Sequence, residues 1–186
     1  MTGFSYFTHK RDGFLLQQHT IFLGLGSNLG DRQANLQSTL TLLASRLTIT
    51  KVSSLYETEP VGYFAQPRFL NAVCQATTTA EPETVLAWAK ETEAALGRTP
   101  SVRYGPRTVD VDLLLYGSLV LETPSLVIPH PRLAERAFVL APLAEIAPSV
   151  VHPVLKQPAA VLLDAVAGRE GVKLIEGQGW WKEVSG

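Results

Sequence analysis

Residues 103–117, RYGPRTVDVDLLLYG, constrain the chain more than any other stretch. Gly105-Pro106 breaks regular structure. Residues 108–116 then read as a strand bounded by Gly117. Alternate strand residues share a face. Asp110, Asp112, Leu114 and Tyr116 are therefore predicted to point one way, and Val109, Val111, Leu113 and Leu115 the other way, into a core. Carboxylates two residues apart have Cβ atoms roughly 6–7 Å apart. They repel each other, and desolvation adds to the cost. A cation must offset this: Arg103 and Arg107 are close in sequence, and a divalent metal is the other option. Hard oxygen ligands select magnesium or calcium, and magnesium is commonly held by one or two carboxylates plus substrate phosphates. A salt-bridged strand end with no ligand suits the same residues.

The length of 186 residues suits one domain. Apolar residues make up 46% and charged residues 18%, the balance of a soluble globule. With a formal net charge of −1, no basic excess points to a nucleic-acid partner, so any phosphate site must rest on a few local arginines. The one cysteine, Cys74, cannot build a disulfide framework and fits a small buried residue in a reducing compartment. No apolar run approaches the ~20 residues of a membrane span, and residues 1–18 lack a signal-peptide pattern. The expectation is a cytoplasmic monomer without membrane contact: a flexible extension over 1–18 and a single domain over 19–186.

Residues 20–26 are a buried strand candidate, and Asp31 can cap the helix that follows. Leu36, Leu40, Leu43 and Leu47 recur at helical spacing. The glycines from Gly24 to Gly30 are not a dinucleotide fingerprint, because Leu29 stands where its third glycine belongs, and no P-loop follows. Residues 48–56 read as one strand, and 57–67 as a long polar loop. In the strand over 69–79, Leu70, Ala72, Cys74 and Ala76 form a core face, opposite Phe69 and Asn71. An aromatic beside an amide can hold a flat heterocycle. Pro82 opens a second helix with Val85, Trp88, Ala89, Thr92 and Leu96 on one face and Gly97 at its end. A second loop spans 98–105. His130, between Pro129 and Pro131, lies in an extended segment. A short helix over 132–140 should be broken or bent at Pro142, and the tail offers a helix over 159–166 and a strand over 172–175. The order strand, helix, strand, strand, helix, strand is the split-βαβ pattern. The predicted class is α+β with a ferredoxin-like core, an antiparallel-rich sheet with both helices on one face, plus C-terminal additions.

The segments GLGSNLGDR (24–32), SSLYETEPVG (53–62), QPRFLNAV (66–73), GPRTVDVDLLLYG (105–117), IPHPR (128–132) and FVLAPLAEIAP (138–148) occur in this order. Together they make the chain resemble the 6-hydroxymethyl-7,8-dihydropterin pyrophosphokinases of folate biosynthesis. The resemblance implies transfer of pyrophosphate from ATP to the hydroxymethyl of a reduced pterin, with release of AMP. It implies two Mg2+ ions on Asp110 and Asp112, and catalytic roles for these two with Arg98 and Arg107. It places Lys90, Glu93, Arg98, Arg107, Leu113, His130 and Arg136 at ATP. It places Thr58, Val61, Phe69, Asn71, Tyr104 and Phe138 at the pterin. Pro100 stands where many members carry arginine, Tyr104 where tryptophan is common, and Ser125 and Val127 replace polar or basic residues of some members. Two other readings compete: another magnesium-dependent nucleotide enzyme, such as a nucleotidyltransferase, and a non-catalytic binding module on the same fold.

Overall fold

The computed structural model describes residues 9–11, 14–62, 65–98 and 105–182. Tyr104, Pro100 and most of the 98–105 loop lie outside them. Short strands β1 (His9–Arg11) and β2 (Phe14–Leu16) pair with each other. The sequence reading had given residues 1–18 no secondary structure.

The body follows as β3 (His19–Ser27), α1 (Arg32–Ala44), β4 (Thr48–Val52), β5 (Leu55–Thr58), β6 (Phe69–Thr78), α2 (Pro82–Ala95) and β7 (Asp110–Tyr116). Asp31 caps α1 as expected, its carboxylate accepting from the Ala34 N–H at 3.0 Å. The main sheet is antiparallel throughout: β3 lies between β6 and β7, and both β4 and β5 pair with β6. Each helix thus crosses over a strand placed between the two it connects, as the split pattern requires. α1 and α2 cover one face, packing Leu36, Leu40, Leu43, Val85 and Ala89 on Ile21, Leu23, Ala72, Cys74 and Val111.

The sequence predicted one strand over 48–56; the structure has two. The division falls at Ser53-Ser54, where side chains replace ladder bonds. The Ser53 hydroxyl accepts from the Val73 N–H at 2.9 Å and donates to the Ser54 carbonyl at 2.8 Å. Such local hydroxyl bonds compete with regular pairing.

Strict alternation along β7 also fails. Phe22 of β3 opposes Leu115, but the next residue, Leu23, opposes Leu113. Leu114 is the extra residue of a bulge, which reverses the facing of everything beyond it. Val109, Val111, Leu113 and Tyr116 consequently join the α1–α2 core, whereas Leu114 and Leu115 join the opposite one. Leu115 and Tyr116 have exchanged the faces expected of them. A Cβ at Gly24 would stand 3.3 Å from the Leu114 side chain, so a larger residue there would press on the bulge.

The second face is covered by α3 (Ala137–Ile146) and α4 (Ala159–Ala165), with Leu140, Leu143 and Leu162 over Phe22, Val73, Leu114 and Leu115. A short hairpin of β8 (Leu121–Glu122) and β9 (Val127–Ile128) and a 3-10 turn at Leu133–Glu135 precede α3. Pro142 was expected to break or bend this helix; it does not break it, and α3 runs on to Ile146. Proline removes one helical hydrogen bond, and burial of Val139, Leu140, Leu143 and Ile146 offsets that loss. The tail returns as β10 (Lys173–Glu176), paired with β5 at the edge of the sheet. Trp180 then packs into the α1–α2 core and donates its indole N–H to the Ser53 carbonyl at 2.7 Å.

Candidate active site

α3 and α4 cover only part of their face. The uncovered part, beside the start of β7, is a cavity of about 290 Å³. Its floor is β3, where Gly24 and Gly26 expose backbone. A Cβ on Gly26 would lie 3.4 Å from Asn71 Oδ1, 3.6 Å from Phe69 and 3.9 Å from the Asp110 Cβ. That glycine is the junction of two subsites, one charged and one flat.

The charged subsite is built on the first residues of β7. Asp110 and Asp112 both line the cavity. Arg98, just past the end of α2, reaches Asp110 Oδ1 at 2.9 Å, and Arg107 reaches Oδ2 at 3.2 Å. Glu93 does not line the cavity. It is 3% exposed on the inner side of α2, where its carboxylate accepts from the Val111 N–H at 2.8 Å and pairs with Arg98. Lys90, 3.3 Å from Glu93, faces the cavity. Glu93 thus ties helix, strand and arginine together beneath the site.

Asp112 has looser partners: Arg136 at 3.6 Å and His130 Nε2 at 3.9 Å. Burial and the neighbouring Asp110 charge hold its pKa above the ordinary carboxylate value, despite the opposing pull of Arg136. His130 is pushed down to about 4, first by burial and then by Arg136, so it is neutral at pH 7. Its Nδ1 accepts from the Arg132 N–H at 3.1 Å, which leaves the proton on Nε2, facing the carboxylate. Arg132 itself lines the cavity, a position the sequence reading missed because the arginine lies two residues beyond the proline-framed histidine.

The flat subsite lies between Phe69 at the start of β6 and Phe138 in the first turn of α3. Thr58 and Val61 border it from β5 and the loop beyond. The Asn71 amide donates to the Thr58 hydroxyl at 2.7 Å, and both residues are buried. Arginines bridge the two subsites: Arg107 stands 5.8 Å from the Phe69 ring centre and Arg136 5.6 Å from that of Phe138. Asn28, 1% exposed, binds both flanking loops. It accepts from the Arg107 N–H at 2.8 Å and donates to Gln66 and to the Pro67 carbonyl.

Leu113 is not brought to this cavity. It points into the α1–α2 core and is 4% exposed. The cavity therefore collects the predicted arginines, carboxylates, Lys90, His130 and the residues of the flat slot, leaving aside Leu113, the underlying Glu93 and Tyr104, which falls outside the described residues.

The carboxylates suit a magnesium ion: two hard oxygen donors on one strand face, arginines within reach of its phosphate ligands, and no sulfur or neutral imidazole competing at Asp110. Among the described residues no cluster of three or more His, Cys, Asp or Glu forms a self-sufficient metal cage. The remaining coordination must come from substrate or water.

Residues 22–148 match the model of the 7,8-dihydro-6-hydroxymethylpterin-pyrophosphokinase (HPPK) family. A 2-amino-4-hydroxy-6-hydroxymethyldihydropteridine pyrophosphokinase of Bacillus subtilis is 44% identical over 167 residues, covering 89% of this chain and 92% of that protein. One from Aquifex aeolicus is 41% identical, covering 75% and 87%. Among solved structures, the Plasmodium falciparum HPPK-DHPS wild type with pteroate superposes with a TM-score of 0.66 at 17% identity, over 80% of this chain. The alignment spans 42% of that longer chain, and at such identity the likeness speaks for the fold alone. Fold, site and relatives together define an ATP-dependent diphosphotransferase. The chain belongs to the HPPK family.

Proposed function

We propose that the charged subsite binds the triphosphate of ATP and the flat slot binds a reduced pterin, so that the two meet above Gly26. The reaction is transfer of a pyrophosphoryl group from ATP to the hydroxymethyl group of 6-hydroxymethyl-7,8-dihydropterin, a step of folate biosynthesis. The family match disfavours the nucleotidyltransferase and binding-module readings.

The pterin hydroxyl oxygen attacks the β-phosphorus and gives up its proton to solvent, the bond from that phosphorus to the α–β bridging oxygen breaks, and AMP leaves. Such transfer depends mainly on positioning and charge neutralisation. Asp110 and Asp112 would hold magnesium, two ions in this reading; bound, magnesium neutralises phosphate charge and lowers the pKa of an oxygen nucleophile. Arg98 and Arg107 stand at Asp110 and would exchange that carboxylate for phosphate oxygens. Neutral His130 offers Nε2–H, and Lys90 and Arg136 supply charge from the two opposite sides. Phe69 and Phe138 stack the pterin, joined by Tyr104, while Asn71, Thr58 and Val61 read its edge. The observation that carries this reading is the adjacency of the carboxylate pair and the aromatic–amide slot across one glycine.

We further propose a cytoplasmic monomer with no nucleic-acid partner. No helix among the described residues is long and apolar enough to cross a membrane. Chromatography of a single turnover with ATP and the reduced pterin tests the reaction. AMP and a diphosphorylated pterin should form one to one; ADP with a monophosphorylated pterin would overturn it.

A further inference from the structure

Glu145 lies on α3, seven residues beyond Phe138 and so on the same side of the helix. Its carboxylate collects four hydrogen bonds. Oε2 accepts from the Ser54 N–H at 3.0 Å and the Tyr56 hydroxyl at 2.9 Å. Oε1 accepts from the Ser54 hydroxyl at 2.7 Å and the Gln178 amide at 2.8 Å. One residue on, the Lys51 ammonium donates to the Ile146 carbonyl at 3.0 Å, at the negative end of the helix dipole. The far end of α3 is thus pinned to β4, β5 and the tail. Its near end has no side-chain cap and presents Arg136 and Phe138 to the cavity.

The other ends of these bonds lead to the opposite wall of the slot. Tyr56 and Thr58 are two apart on β5 and share a face. Across the ladder they oppose Asn71 and Phe69, and Thr58 holds the Asn71 amide. The carboxylate therefore connects the helix bearing one aromatic wall to the strands bearing the other wall and the edge-reading amide.

We infer that Glu145 is a positioning residue that fixes the spacing and tilt of the pterin slot, with Gln178 of the tail as its outermost support. This rests on the assignment of that slot to the pterin. The phosphate subsite hangs instead from Glu93 and Asn28, so the two substrates should feel Glu145 unequally.

The test is steady-state kinetics, varying ATP and pterin separately, with melting curves for each variant. Glu145→Gln keeps the size but turns an NH2 toward donors. It should raise the KM for pterin about tenfold and leave that for ATP within about twofold. Glu145→Asp restores the charge on a shorter stem and should recover part of the loss. Tyr56→Phe removes one donor, keeps the fold if Glu145→Gln does not, and should raise the pterin KM about threefold at an unchanged melting temperature. Equal rises in both KM values, or lower melting temperatures with the pterin KM unmoved, would overturn the brace alone. A wild type that releases no AMP would overturn the reaction, and the slot assignment with it.

Discussion

The two faces of the central sheet solve opposite problems. Against α1 and α2 the sheet is dry: Ile21, Leu23, Leu36, Leu40 and Cys74 are each 1% exposed or less. The charge buried there, Glu93, is fully engaged by Val111, Lys90 and Arg98. The other face is apolar only as far as α3 reaches. Beyond Val73 and Leu114 it changes to Asn71, Asp112 and Asp110, polar groups that line the cavity; Thr58 holds Asn71 and two arginines hold Asp110, while Asp112 has only looser partners. The comparison teaches where stability and activity reside. The first face supplies burial worth about 1.5–3 kcal/mol per large side chain. The second holds carboxylates whose mutual repulsion the fold tolerates.

The sharpest way to break this comparison is a pair of substitutions. Asp112→Ala should lower turnover by about a thousandfold or more while the ligand-free protein melts no lower than wild type. The sign follows from its raised pKa: the folded state disfavours that charge, so removing it at neutral pH relieves a strain on folding. Leu40→Ala should do the reverse, costing about 2–5 kcal/mol of stability with turnover per folded molecule retained. Melting curves beside initial rates decide; a strongly destabilised Asp112→Ala would show both faces to be structural.

Arg98→Ala comes next. Its guanidinium rests on Glu93 and Asp110 in the absence of substrate and must exchange partners to reach phosphate. Its contact then forms late, and kcat should fall about a hundredfold with little change in ATP affinity measured by calorimetry. Weakened ATP binding with unchanged kcat would refute the exchange.

Much of this division was legible in the sequence, and the parts that were not share a cause. Asp31, the leucine ladder of α1 and the Pro82–Gly97 bracket of α2 are local signals, and they held. The facing of Asp110 and Asp112 followed from period two. Tyr116 and Leu115 did not follow, because the bulge at Leu114 exists only in pairing with Phe22 and Leu23. Leu113 was placed at the nucleotide by resemblance, although its own alternation pointed to the core, where it lies. The break at Ser53-Ser54 depends on Val73, 20 residues from Ser53, and Pro142 survives in α3 because tertiary burial outweighs local preference.

A smaller effect concerns pH. His130 has a folded value of about 4 against an ordinary 6.5. As pH falls from 6.5 toward 4 the unfolded chain takes up a proton that the folded one refuses, so stability declines through that window. Asp112, with its raised pKa, works in the opposite direction, so the comparison must be made with a variant. As pH drops across this range, the denaturant midpoint of His130→Gln should fall less than that of wild type. An identical slope would show that His130 is already charged in the fold.

The smallest expected effect lies outside both faces. β1 and β2 pair only with each other among the described strands. Removing residues 1–16 should leave turnover and melting temperature nearly unchanged; a drop of many degrees would show that this segment packs on the sheet.

The bulge at Leu114 gives β7 a division of meaning along its length. Ahead of it, one face of the strand is read by whatever enters the cavity, and a changed residue at 110 or 112 alters chemistry. Behind it, both faces are read by neighbouring side chains, and a changed residue at 115 or 116 alters fit. One added amino acid thus works as punctuation: it ends the stretch addressed to the substrate and begins the stretch addressed to the protein itself.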